Sequence, residues 1–439
     1  PLIIEEFYEP RTGHSSYAVG CSKKKQIAII DPGYNNEPYL DFSKKNNLII
    51  THIFDTHLHE DFLSGSRNLS KCCTASLNLS GYFTGGDLRY SFPHNQCFEG
   101  DQFAIGETIL KIIHLPHYVK EHIGVILYSN NIPRAVFSGD FFYLWDPKSS
   151  FKDICENSDF LKSLKKLFSH SEYLEVYPTH RSCTLTQLGE YKKSIFSENT
   201  ALQKKPCFSI GKKASLTYSE NLKKTNAKPI QFTSNLSKSV EPRVLKCELK
   251  KESIVLDIRG QKQFCRAHIP GSICIELGPS FTFWCSLFLN PHKKIYIVSN
   301  NPSCTKKAIQ SLALVGFLNV KGYLEGGIGK WLANAYVTEE ILECSPGYLI
   351  NKKNEYAIID VRSQNERAYG FIEKSRHIPC DRLKTHIHFL SEKKIVFVCE
   401  GGSRSAIAAS VAQFYGMKNI CHLRGGMFAW RMGHFPLVC

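Results

Sequence analysis

Short apolar runs closed by polar turns set the rhythm of the first half of the chain. YAVGC (17–21), KKQIAIIDPG (24–33), LIITHIF (48–54), ILKIIHL (109–115), GVILYS (124–129), RAVFSGD (134–140) and EYLEVYP (172–178) each fit a short strand, so residues 1–200 predict an α/β sandwich. The stretch 203–250 is rich in Lys, Ser, Thr and Asn without clear periodicity and predicts a linker or extended connection. Beyond it the chain repeats itself. SIVLDIR (253–259) is echoed by YAIIDVR (356–362), AHIPGS (267–272) by RHIPCD (376–381), KKIYIVSN (293–300) by KKIVFVCE (393–400), and YLEGGIGKW (323–331) by HLRGGMFAW (422–430). Each copy opens on a buried strand ending in Asp-x-Arg and closes with a Gly-Gly turn before a Trp-bearing helix, which predicts two tandem α/β units of about 100 residues with parallel sheets.

Composition narrows this picture. A chain of 439 residues makes about three domains. With 43% hydrophobic and 22% charged residues it reads as folded, and no apolar run approaches the ~18 residues of a membrane span. The start PLIIEEFYEP carries acids where a signal peptide carries lysines, so a cytoplasmic location is expected. The 17 cysteines are scattered and odd in number, which predicts reduced thiols. A formal charge of +15 attracts small anions, but its Lys pairs are spread along the chain without an aromatic-interleaved stripe. A solvated basic surface is expected rather than nucleic-acid binding.

The sharpest chemical signal is IVFVCEGGSRSAIAAS, where a buried strand runs into Cys399, Glu400, Gly401, Gly402, Ser403, Arg404 and Ser405 and then into a helix beginning near Ser405. The two glycines let backbone N–H groups turn inward, the helix start points its positive end at the same place, and Arg404 adds a cation; all three favour a thiolate at Cys399. Such a thiolate can attack sulfane sulfur and hold it as a persulfide. The loop resembles that of the rhodanese-like sulfurtransferases, Cys-x-Gly-Gly-x-Arg-Ser, and both copies share the family's Asp-x-Arg strand end (Asp257 and Arg259; Asp360 and Arg362). Arg404 lies five residues after Cys399, where the cysteine-dependent phosphatases place theirs six after, so the resemblance implies sulfur rather than phosphate chemistry. The first copy has Ser299 in place of the cysteine and lacks both the Gly pair and the Arg, so it is expected to be structural. Cys304 reads there as a packing or surface residue.

A second constellation lies in the first half: His57, His59 and Asp61 after one strand, His114, His117 and His122 around another, then Asp140 and His180 at further strand ends. Their convergence predicts a metal site. These segments resemble the metallo-β-lactamase fold, an αββα sandwich, and their order before two rhodanese-like units is similar to the persulfide dioxygenase–rhodanese fusions. The resemblance implies domains at 1–202, 246–338 and 339–439 with 203–245 as connection, and one Fe(II) per chain, with zinc as the lesser candidate. The implied ligands are His57, Asp140 and a turn residue, with His59, Asp61 and His180 as remnants of a second site. Two departures from the family pattern stand out: Phe62 replaces the last residue of His-x-His-x-Asp-His, and HLPHYVKE leaves either His117 or Tyr118 as the turn ligand.

The expected function is oxidation of a thiol persulfide at the metal with sulfane sulfur carried on Cys399. The alternatives are a sulfurtransferase with a metal-poor N-terminal domain, and a non-catalytic persulfide carrier. Expected partners are a thiol persulfide or thiosulfate, a low-molecular-weight thiol and a further copy of the chain, with no nucleic acid and no membrane.

Overall fold

The computed structural model describes residues 2–83, 88–116, 119–142, 158–180, 216–228, 238–249, 253–390 and 394–438. The chain divides into two compact units, 1–231 with 313–316, and 232–312 with 317–439.

In the first unit β1 (Leu2–Glu9), β2 (His14–Cys21), β3 (Gln26–Ile30), β4 (Ile49–Asp55), β5 (Ser76–Ser80) and β6 (Asn95–Cys97) form one sheet in that order, antiparallel up to β3 and parallel beyond it. A second sheet has the order β11-β10-β9-β8-β7, from β7 (Gln102–Ile105), β8 (Thr108–His114), β9 (Ile123–Ser129), β10 (Ile132–Gly139) and β11 (Glu175–Pro178). The period of two along each strand decides the layers. Tyr17, Val19, Ile30 and Phe54 meet Leu110, Ile112, Val125 and Phe137 between the sheets. The alternate residues Ala18, Ile27, Ile29 and Ile53 instead pack on Tyr39 and Leu69, from the helices Glu37–Lys45 and Ser66–Cys73. Ile126 and Val136 of the second sheet face Phe160, Leu164 and Leu167 of the helix Ser158–His170. The result is the αββα sandwich, and β4, β10 and β11 end where His57, Asp140 and His180 follow.

Part of the stretch read as a connection is helix, Leu216–Asn226, and it belongs to the first unit. Its Lys- and Asn-rich sequence conceals the buried Leu222 and Asn226 and, just past its end, the buried Ala227; these supply packing that a linker reading misses. Residues 203–215 and 229–237 lie outside the described residues.

The second unit holds two parallel sheets of the same strand order. One runs β12-β16-β15-β13-β14, from β12 (Ser239–Val240), β13 (Ile254–Asp257), β14 (Ile273–Cys274), β15 (Ile295–Val298) and β16 (Val320–Leu324). The other runs β17-β21-β20-β18-β19, from β17 (Leu342–Cys344), β18 (Ala357–Asp360), β19 (Arg376–His377), β20 (Ile395–Val398) and β21 (Ile420–Leu423). The repeated residues do the same work in each copy. Arg259 and Arg362 each fork onto the Asp two residues back, buried at the strand end. The indole N–H of Trp331 donates to the Val337 carbonyl and that of Trp430 to the Pro436 carbonyl, both at 2.9 Å. Among the described residues no helix is long and apolar enough to cross a membrane.

Candidate metal centre and cysteine loop

Asp31, at the end of β3, organises the first site. Its carboxylate accepts the Thr56 N–H (2.7 Å), the Thr56 hydroxyl (2.9 Å) and the Thr179 hydroxyl (2.7 Å), so the turns after β4 and β11 hang from one buried residue. Because the Thr56 hydroxyl is spent as a donor on Asp31, it accepts from His57 Nδ1 at 3.0 Å, which leaves His57 Nε2 as the lone-pair nitrogen. That nitrogen lies 3.6 Å from Asp140 Oδ2. His180 is fixed the same way: its Nδ1 donates to the Gly13 carbonyl at 3.0 Å, and its Nε2 sits 2.5 Å from Asp61 Oδ2 and 3.9 Å from Asp140 Oδ1. Asp140 therefore stands between two imidazoles. His122 Nε2 accepts the Asp140 backbone N–H at 3.1 Å, and the ring lies over His57.

His59 turns its Nε2 to Asp31 at 3.1 Å, leaving its buried Nδ1 without a hydrogen-bond partner. A tight grouping of Asp31, Asp55 and His59 has donor atoms within 4.8 Å of one another, but Asp55 already accepts Ser64 and Ser66 and Asp31 is engaged as above. It buttresses the site from behind.

Burial, reinforced by the neighbouring imidazoles of His59 and His122, lowers the His57 pKa well below the usual imidazole range. For His59 burial works the same way, yet Asp31, Asp55 and Asp61 outweigh it and push the ring up to about 9. Asp61 and Asp140 likewise overcome burial at His180 and raise it to about 9. His57, locked in its ligating tautomer beside the Asp140 carboxylate, fits a divalent cation, whereas His180, protonated on both nitrogens and paired with Asp61, offers no lone pair in this state. His117 and Tyr118 lie outside the described residues. His114 is turned away, bonded to the Lys120 carbonyl and stacked on Tyr82.

Three features of this site escape a reading of the motifs. Phe62, wholly buried, is stacked against His14 (3.8 Å between ring centres, 2° apart) and 4.2 Å from the His59 ring. His14 itself is held uncharged by burial and by His180, at about 3. Asn226 donates to the His59 and Phe62 carbonyls and accepts the Ser64 N–H, all at 3.0 Å, so the helix 216–226 clasps the turn at 59–64. Nothing local to these residues signals such contacts.

In the second unit, β20 delivers Cys399 fully buried at the base of its loop. The Gly402 N–H donates to Sγ at 3.0 Å, which requires the backbone to turn through φ 112° there, and the helix starts at Ser403, two residues earlier than expected. The loop is held from below. Met427 N–H donates to the Cys399 carbonyl (2.8 Å) and Phe428 N–H to that of Glu400 (3.0 Å), an approach so close that a Cβ on Gly426 would sit 2.3 Å from the Cys399 oxygen. Arg404 gives both terminal nitrogens to Glu366, at 2.7 and 2.5 Å, and Glu400 pairs with Arg431. Arg404 is therefore a neutralised cation in this state rather than a free one. Glu366 has a sequence signal, being the far end of a Ser-x-x-Glu capping box begun at Ser363. Gln261 of the first copy reaches the loop: a Cβ on Gly402 would lie 3.1 Å from its amide nitrogen. In the first copy Ser299 is spent on Asn301, and Cys304 sits half-buried in the helix Pro302–Leu314.

Residues 241–334 and 345–432 match the rhodanese-like domain family. A metallo-β-lactamase structure from Staphylococcus aureus subsp. aureus COL shares the fold, with a TM-score of 0.60 and 24% identity over 73% of this chain and 98% of that chain. Among curated proteins, a hydroxyacylglutathione hydrolase of Trichormus variabilis is 27% identical over 188 residues, 42% of this chain and 70% of the relative. Hydroxyacylglutathione hydrolase 1 of Vibrio vulnificus is 30% identical over 161 residues, 36% of this chain and 58% of the relative.

Proposed function

For a chain that is a fusion of a metallo-β-lactamase-fold domain with two rhodanese-like domains, we propose an enzyme of sulfur metabolism that carries sulfane sulfur on Cys399 and oxidises a thiol persulfide at a metal centre built on His57 and Asp140. The observation that carries this reading is the Gly402 N–H on the Cys399 sulfur at 3.0 Å, at the start of the helix Ser403–Phe414. A donor so placed favours negative charge on sulfur.

The Cys399 thiolate attacks the outer sulfur of thiosulfate. The new S–S bond forms as the old one breaks, and sulfite leaves with the bonding pair. A low-molecular-weight thiolate then attacks the terminal sulfur, and the Cys399 thiolate departs unchanged in oxidation state. Arg404 can meet the incoming anion once it leaves Glu366, and the backbone N–H of Gly402 steadies the sulfur at each end of the cycle.

In the N-terminal domain His57 and Asp140 would hold Fe(II), either His117 or Tyr118 would complete the set, and zinc is the lesser candidate. Iron bound there would supply a redox centre at which a persulfide and dioxygen meet. The chain's own part is positional: Thr56 aims His57, His122 holds the Asp140 backbone, and Phe62 fills the place of a further ligand, which favours one metal over two. In this reading the domains run 1–202, 246–338 and 339–439, with 203–245 as a connection that also clasps the turn at 59–64 through Asn226.

Metal analysis of protein purified without oxygen, paired with dioxygen uptake on a thiol persulfide and thiosulfate-to-cyanide transfer, tests the proposal. About one iron per chain with persulfide-dependent uptake supports the first half; no iron and no uptake overturns it. Transfer that survives Cys399→Ser overturns the second half.

A further inference from the structure

The wall behind Cys399 contains a histidine that neither the sulfur-transfer steps nor the loop motif uses. His422, on β21, is 1% exposed. Its Nδ1 lies 3.4 Å from the Ser405 hydroxyl, and that hydroxyl lies 3.4 Å from Cys399 Sγ. The polar groups facing the ring come from three other elements: Ser405 from the helix Ser403–Phe414, Glu343 Oε1 at 3.4 Å from Nε2 on β17, and Cys265 Sγ at 3.5 Å from Nε2 on the first copy's helix Gln261–Arg266.

The charges of these neighbours set the tautomer. Burial pushes Cys265 up to about 12, so it remains a thiol and brings no charge. Glu343 as a carboxylate can only accept, which places the ring proton on Nε2 and turns the Nδ1 lone pair toward Ser405. Burial lowers the His422 pKa from its ordinary value while Glu343 works in the other direction, so the ring is a neutral base with a carboxylate waiting behind it.

We propose that His422 is a positioning residue that takes up, through Ser405, the proton leaving the Cys399 thiol. The thiol proton passes to Ser405 Oγ while the Ser405 proton swings from the Gly402 carbonyl, which it now meets at 2.8 Å, to His422 Nδ1. One proton moves from sulfur to nitrogen and no electrons change owner. The products are a thiolate held by the Gly402 N–H and the Ser405 hydroxyl, and an imidazolium facing Glu343. The proposal rests on the reading of Cys399 as the sulfur carrier, and it ties that residue to a base 23 positions downstream, past the loop and its helix.

The test uses the full chain and iodoacetamide, with alkylation of the Cys399 peptide followed by mass spectrometry across pH. This readout does not require sulfur transfer. In His422→Gln the pH of half-maximal alkylation should move up by about one unit, making the reaction about tenfold slower on the acid side while converging with the parent at high pH, where solvent base removes the proton. Ser405→Ala should give the same displacement, and the double variant no more than either alone. Glu343→Gln, at a part-exposed position, should displace the profile in the same direction by less, and it guards against a His422 variant that does not fold. An unchanged profile in both His422→Gln and Glu343→Gln, or a rate loss equal at every pH, overturns the proposal. Loading with thiosulfate is run in parallel: a displaced alkylation profile with no sulfur gained by wild-type Cys399 keeps the proton path and overturns the sulfur-carrier reading instead.

Discussion

Arg404 and Glu366, 38 residues apart, are joined by two parallel hydrogen bonds of 2.7 and 2.5 Å at the mouth of the cysteine loop. Glu366 thus occupies the cation that an anionic sulfur donor needs. Glu366→Gln should weaken that hold and lower the KM for thiosulfate by about fivefold, because a charge-assisted fork is replaced by a neutral contact. Steady-state kinetics with a neutral persulfide donor, whose KM should stay the same, separates this from a general change in the loop.

The same pair has an acid signature. Arg404, aided by Ser363, holds the Glu366 carboxyl down at about 2, against an ordinary value of 4.5. A folded-state pKa below the unfolded one means that the pair's stabilisation is fully present above about pH 4.5 and is lost as the pH falls through about 2. The melting temperature of wild type should therefore exceed that of Glu366→Gln above pH 4.5, with the gap closing towards pH 2, as thermal unfolding at several pH values will show. A gap independent of pH would sink this assignment.

Phe62 makes a prediction about metal number. Its ring fills the space between His14 and His59. Phe62→His should raise the iron or zinc bound per chain from about one to about two, at a cost of about 2–3 kcal/mol in stability for the lost apolar volume. Elemental analysis of wild type and variant side by side decides it, and equal metal content in the two counts against a second position closed by Phe62.

Asn226 reaches three backbone groups of the turn at 59–64 with one buried amide. Asn226→Ala leaves those groups without partners and should destabilise the first unit by about 2–4 kcal/mol. Hydrogen exchange should quicken at residues 59–64, and metal should leave faster on dialysis against a chelator. Unaltered exchange across that turn would show that the clasp does not hold it.

These residues mark where sequence reading reached its limit. Asp257 with Arg259, and Asp360 with Arg362, are legible because each pair closes within one strand end and recurs in the second copy. Cys399 to Ser405 is legible for the same reason, since strand, loop and helix start are contiguous. His57, Asp140 and His180 follow from their places after strands. Asn226 meets the turn across more than 160 residues, inside a stretch whose polar composition masks a helix. His14 is an ordinary residue in sequence, and although Phe62 stands out as a departure from the histidine pattern, only the sandwich stacks the two rings. Asp31 closes hydrogen bonds to residues 25 and 148 positions away, distances at which no local pattern survives.

Gly426 carries a consequence for the first copy. The frame that supports the cysteine loop is an approach of the Gly-Gly turn to the loop carbonyls, and the first copy retains it: Gly327 sits under Ser299 as Gly426 sits under Cys399, with a Cβ there 2.9 Å from the Ser299 oxygen. The strand-to-helix loop, however, is three residues long in the first copy (299–301) and four in the second (399–402). What separates the two copies is therefore one residue of loop length as well as its composition, so Cys-Glu-Gly-Gly-Ser-Arg written over 299–304 rebuilds the second copy's loop only if the first turn of the helix Pro302–Leu314 opens to admit the Gly pair.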